Sequence, residues 1–167
     1  MGRKEDMMIM VMEKRLGFKV DEVMSGTHRF AEGEGPAGEF PMEFHVTWGN
    51  KHLHRFMFPL DPDFMTSDLE GTVTVGGLCQ DAPCSGKLEL RYFTEGKIRY
   101  IFDFEHDGKR YHFVGEKRDI RPWNLHRTHT TCYGTLTEAD TGKVVSESVT
   151  YFKLSTALPF VKSVRLG

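Results

Sequence analysis

Apolar and polar residues alternate with period two along most of the chain, and the alternation is sharpest on either side of Asp107-Gly108. Asp-Gly at the centre of a two-residue turn fixes the register of a β-hairpin, because both turn positions need positive φ. That register gathers Ile98, Tyr100, Phe102, Phe104, Tyr111, Phe113 and Gly115 on one face. It also sets Glu105 opposite Arg110, Asp103 opposite His112, Ile101 opposite Val114 and Arg99 opposite Glu116. Each of these is an opposite-charge or apolar match, and a slip of one residue would destroy them all.

The same reading carried along the chain predicts about nine strands. Phe18 to Phe30 is a first long strand, and Ala31 to Gly38, with Gly33, Gly35, Pro36 and Gly38, is a loop. Phe40 to Trp48 alternates strictly, and Gly49-Asn50 reads as a tight turn into a strand from Lys51 to Phe58. Asp61-Pro62-Asp63 predicts one helical turn through about Thr66. Further strands are Leu69 to Gly76 and Lys87 to Thr94, separated by a loop holding Cys79 and Cys84. After the Asp107-Gly108 hairpin come Thr128 to Thr137 and Val144 to Leu154, joined across Asp140-Thr141-Gly142. Met1 to Leu16 is expected to be a helix or extension with a stripe of Met8, Ile9, Met12 and Leu16, and residues 17–167 a single domain. Successive hairpins without a βαβ rhythm make an all-β protein, and a twisted meander of this length hides its edges best by closing into an antiparallel up-and-down barrel.

Composition narrows the function classes. The net charge of −2 and scattered basic residues give no field for a phosphate backbone, so nucleic acid is not an expected partner. The apolar run at residues 7–12 is too short to cross a bilayer. The three cysteines, Cys79, Cys84 and Cys132, cannot all pair within one chain, and reduced thiols suit a cytoplasmic protein. No glycine-rich dinucleotide fingerprint is present, and no cofactor is expected.

Three constellations carry candidate chemistry. The inward rings Tyr100, Phe102, Phe104, Tyr111 and Phe113 could line a site for a hydrophobic small molecule. Trp123 and Arg121 stand among Lys117, Arg118, Asp119, His126 and Arg127, where the barrel would open. Such a rim can orient a ligand headgroup, or be a solvated basic rim. If Gly49-Asn50 turns tightly, His45, His52 and His54 share one face with Glu43, as in a three-histidine metal site with an open fourth position. The opposite face, with Phe44, Val46 and Trp48, is the better core candidate, which turns the histidines to water.

From Glu22 to Leu166 the order of motifs resembles the region outside the flavin-binding part in bacterial cholesterol-oxidase-type members of the glucose-methanol-choline oxidoreductases. The motifs are Glu22-Val23-Met24-Ser25-Gly26, Leu69-Glu70-Gly71-Thr72-Val73, Lys97-Ile98-Arg99-Tyr100, Gly115-Glu116-Lys117-Arg118-Asp119 and Thr130-Thr131-Cys132-Tyr133. Where that family tends to carry a tryptophan and an aspartate before its threonine run, this chain has His126 and Thr128. The resemblance implies a lipocalin-like (calycin-like) barrel standing apart from its redox enzyme. Three functions remain open. One is a binding module for a lipid or sterol-like molecule, accessory to a flavin oxidoreductase. The second is a small metal-assisted hydrolase or isomerase acting on a lipid-like substrate. The third is an interaction domain with a filled barrel, which pairs with its own copy or with an oxidoreductase.

Overall fold

In the computed structural model, which describes residues 18–50, 66–91, 96–118 and 131–152, the alternating pattern becomes a closed antiparallel barrel of eight strands. The strands are β1 (Phe18–Phe30), β2 (Glu39–Asn50), β3 (Thr66–Val75), β4 (Cys79–Arg91), β5 (Lys97–His106), β6 (Lys109–Lys117), β7 (Thr131–Glu138) and β8 (Val144–Phe152). Each pairs with its neighbours in chain order, and β1 closes the barrel on β8 from Met24–Phe152 to Phe30–Ser146. The predicted hairpin forms in the predicted register, with Glu105–Arg110, Asp103–His112, Ile101–Val114 and Arg99–Glu116 opposite one another. Asp107 (φ 50°) and Gly108 (φ 76°) supply the left-handed turn.

Three expected elements differ. Gly49 and Asn50 do not turn: both are strand residues without positive φ, and β2 is paired with β1 on one edge and β3 on the other. No edge of β2 is left for a hairpin partner: His45 pairs with Val23 and Thr72, and Thr47 with Asp21 and Glu70. Lys51 to Phe58 lies outside the described residues, as does the expected N-terminal helix. Thr66 opens β3 rather than closing a helical turn.

The cysteine segment is strand, not loop. Asp81 takes φ 49° at a bulge that absorbs the extra residue between the Val73–Ala82 and Val75–Cys79 pairs, and its backbone N–H donates to the Thr74 hydroxyl at 3.0 Å. Pro83 stands before the β4–β5 pairing begins at Cys84–Phe104, so no N–H is wanted from it there.

The barrel is filled at its middle. Phe44 on β2 reaches across the axis to Tyr100, Phe102 and Phe113, with ring centroids 5.6 Å away in each case, and Phe102 stacks on Phe113 at 4.6 Å. Each fully buried ring contributes about 1.5–3 kcal/mol by area, and each ring pair adds about 0.5–1.5 kcal/mol more. Gly134 makes room for this, because a Cβ there would lie 2.5 Å from the Phe113 ring.

The two ends are unlike. At one end the strands join through the connections 31–38, 76–78, 107–108 and 139–143. His28 sits buried near this end, its Nε2 donating to the Gly76 carbonyl at 2.8 Å and its Nδ1 2.9 Å from the Ser146 hydroxyl. The carbonyl can only accept, so the proton is on Nε2 and Ser146 donates to Nδ1. Phe30 packs edge-on against the ring at 4.8 Å. Burial pushes the His28 pKa below its ordinary 6.5, against the opposing effect of the Gly76 carbonyl. The unfolded chain therefore binds more protons than the folded one just below pH 6.5, and the stability contributed by neutral His28 falls as pH drops through that value. Urea unfolding at stepped pH should show this loss beginning near pH 6.5 in the wild type and diminished in His28→Gln. Equal slopes in the two proteins would contradict the assignment.

Candidate functional site

At the opposite end, inward positions of β1, β2, β5 and β6 bring polar groups together. Glu22 lies on the inward register of β1 between Val20 and Met24, and Lys117 ends the inward series Tyr111, Phe113 and Gly115 on β6. Their side chains are only 4% and 5% exposed. Lys117 Nζ donates to Glu22 Oε1 at 2.9 Å, the Tyr100 hydroxyl donates to the same oxygen at 2.7 Å, and the Trp48 indole N–H donates to Oε2 at 3.1 Å. The Lys117 ammonium also stands 5.2 Å from the Tyr100 ring centroid. Glu22 thus spans the interior from β1 to β5 and β6, across the top of the stacked rings.

Burial by itself would raise the Glu22 pKa. The Lys117 charge beside it and the hydrogen bonds from Lys117, Tyr100 and Trp48 outweigh burial and hold the carboxyl below its ordinary value. Burial and the adjacent Glu22 charge push Tyr100 well above the ordinary phenol value, so it acts as a hydrogen-bond donor and not as a phenolate.

Around this floor the remaining wall is mixed. Thr150 pairs with Cys132, and the Tyr133–Glu116 pair sets Cys132 beside Lys117, so Thr150, Cys132 and Lys117 follow one another across β8, β7 and β6. The Ser67 hydroxyl is fully buried without a hydrogen-bond partner, and the buried Thr150 hydroxyl hydrogen-bonds to the Cys132 thiol. Burial pushes the Cys132 thiol up to about 12, which leaves no thiolate at neutral pH for nucleophilic chemistry. Trp48, Leu90, Ile98 and Phe152 stand at or near the strand ends here, half-buried against the core, and form an apolar frame.

The residues expected to bind a hydrophobic molecule fall into two groups. Tyr100, Phe102, Phe104, Tyr111 and Phe113 are all inside and buried. Tyr100 belongs to the polar floor, whereas Phe104 and Tyr111 stack on each other at 5.3 Å toward the tight-turn end. Arg121 and Trp123 lie outside the described residues. Lys117, expected at the barrel mouth either to orient a ligand headgroup or to be solvated, is the buried partner of Glu22, while Arg118 next to it is exposed and lies over Tyr133. The signal for both missed residues was parity: an acid in phase with Val20 and Met24, and a lysine in phase with Tyr111 and Phe113.

Of the expected metal ligands, His45 faces outward, 55% exposed at its side chain, with Nε2 2.5 Å from Glu43 Oε1. His52 and His54 lie outside the described residues. Among the described residues no group of three or more histidine, cysteine, aspartate or glutamate side chains is placed to hold a metal. Outside the barrel, a groove of about 680 Å³ runs over β1, β7 and β8 between Arg29, Glu39, Tyr133 and Glu147. No helix among the described residues is long and apolar enough to cross a membrane.

In comparison with known proteins the chain matches no family model, no curated protein and no solved structure.

Removing one member of a buried ion pair leaves the other uncompensated, at a cost of about 3–5 kcal/mol, whereas replacing both with apolar groups is often neutral. Lys117→Met should therefore lower the urea-unfolding free energy by about that amount, and Glu22→Leu combined with Lys117→Met should recover most of it. A single substitution costing less than about 1 kcal/mol, as exposed pairs do, would show that the pair is solvated.

Proposed function

We propose that this protein is a binding module for a hydrophobic small molecule, lipid- or sterol-like, held at the Glu22–Lys117 end of the barrel. The motif resemblance adds that such a module serves a flavin oxidoreductase. The observation that carries the reading is the half-buried apolar frame of Trp48, Leu90, Ile98 and Phe152 set over a floor of buried polar groups. Small-molecule sites commonly combine apolar walls with a few placed polar groups that orient the ligand. A ligand at this end lies above the filled middle, with Tyr100 and the Glu22 cluster beneath it.

A second reading, an interaction domain whose barrel holds only its own side chains, is favoured by the rings of Phe44, Tyr100, Phe102 and Phe113 meeting across the axis.

Protein purified without detergent should yield an organic molecule on solvent extraction, and the stripped protein should bind Nile red with one-to-one stoichiometry. Ile98→Asp, which places a charge in the apolar frame, should weaken that binding about tenfold or more, equivalent to at least ~1.4 kcal/mol. Absence of both a co-purifying molecule and dye binding would overturn the proposal in favour of the filled-barrel domain.

A further inference from the structure

The hydrogen bonds of the floor determine what kind of polar group it can accept. Both oxygens of Glu22 are occupied, Oε1 by Lys117 and Tyr100 and Oε2 by Trp48. An ammonium carries three N–H donors. Lys117 gives one to Glu22, so two remain, in a side chain only 5% exposed. Next to Lys117 come Cys132 and then Thr150, whose buried hydroxyl hydrogen-bonds to the Cys132 thiol. Ser67 contributes an unpartnered, fully buried hydroxyl, on the row that runs through Leu88 to Tyr100. Buried polar groups without partners are rare enough to require an explanation, and here one of them shares an end of the barrel with a lysine whose donors are only partly used.

We infer that the floor takes a neutral oxygen function, a hydroxyl or a ketone carbonyl, at the end of an otherwise apolar molecule, and discriminates against a carboxylate. This inference rests on the binding proposal above and specifies its ligand. The oxygen accepts from the two remaining N–H donors of Lys117. The charge count decides against an acid. Glu22 and Lys117 together are neutral, and the Tyr100 and Trp48 donors that could have compensated a second anion already point at Glu22. A ligand carboxylate would put two negative groups on one ammonium in a water-poor space, where the desolvation of the added charge goes unanswered.

The test is displacement of Nile red by 1-dodecanol and by dodecanoate at pH 8, on the full chain. The wild type should bind the alcohol about tenfold or more tightly than the acid, because the acid's charge has no answering group. Glu22→Gln leaves Lys117 without its counter-ion, so this variant should reverse the preference, and dodecanoate should raise its melting temperature while leaving that of the wild type unchanged. Equal binding, or a wild type that prefers dodecanoate, would overturn the headgroup assignment and leave the binding module standing. Failure of both probes to displace the dye would likewise overturn the headgroup assignment. Failure of Nile red itself to bind would remove the binding module and the inference with it. Should Glu22→Gln not fold, the wild-type ratio alone decides.

Discussion

Closure of β1 on β8 is the constraint from which the rest follows. Once Met24 to Phe30 pairs with Ser146 to Phe152, every second residue of all eight strands faces one enclosed space. Apolar positions then pack against each other, and polar positions that share their phase must find partners inside. Two answers result. At the tight-turn end His28 is satisfied by Gly76 and Ser146, and at the other end Glu22 is satisfied by Lys117, Tyr100 and Trp48.

The two answers differ in what they leave over. Each ring nitrogen of His28 has one partner, the proton sits where the Gly76 carbonyl requires it, and phenylalanines cover the ring. This is a structural latch between β1, β8 and the β3–β4 turn. The Glu22 cluster saturates its carboxylate but leaves two lysine donors and the buried Ser67 hydroxyl without partners. A buried ion pair is weak evidence for added stability, because desolvation offsets most of its attraction. Its value here lies in orientation: it sets a polar floor at a fixed depth beneath Trp48, Leu90, Ile98 and Phe152.

Much of this barrel could be read from alternation. The β5–β6 hairpin was legible to the residue because Asp107-Gly108 fixes its turn and four cross-strand pairs agree with it. The inward face of Phe44 and Val46 and the outward face of His45 were legible for the same reason. Gly49-Asn50 misled because a turn-compatible dipeptide was read locally, whereas twelve residues of β2 were committed to β1 and β3 by long-range pairing. The Cys79–Cys84 stretch was hidden by Pro83 and by the bulge at Asp81, which breaks the period of two. Glu22 and Lys117 were hidden in a different way. Charged residues on an apolar phase look like noise until closure brings β1 and β6 face to face, and no local pattern reports which strands will meet across a barrel.

The central claim is that a ligand sits on this floor, within the apolar frame. Isotope-filtered NMR on uniformly ¹³C-labelled protein with unlabelled 1-dodecanol tests it most directly, through contacts between ligand protons and assigned side chains. The account predicts contacts to Trp48, Leu90, Ile98 and Phe152, with the hydroxyl end nearest Lys117. Contacts confined to the outer groove between Arg29, Tyr133 and Glu147, or to Phe104 and Tyr111 at the far end, would contradict it.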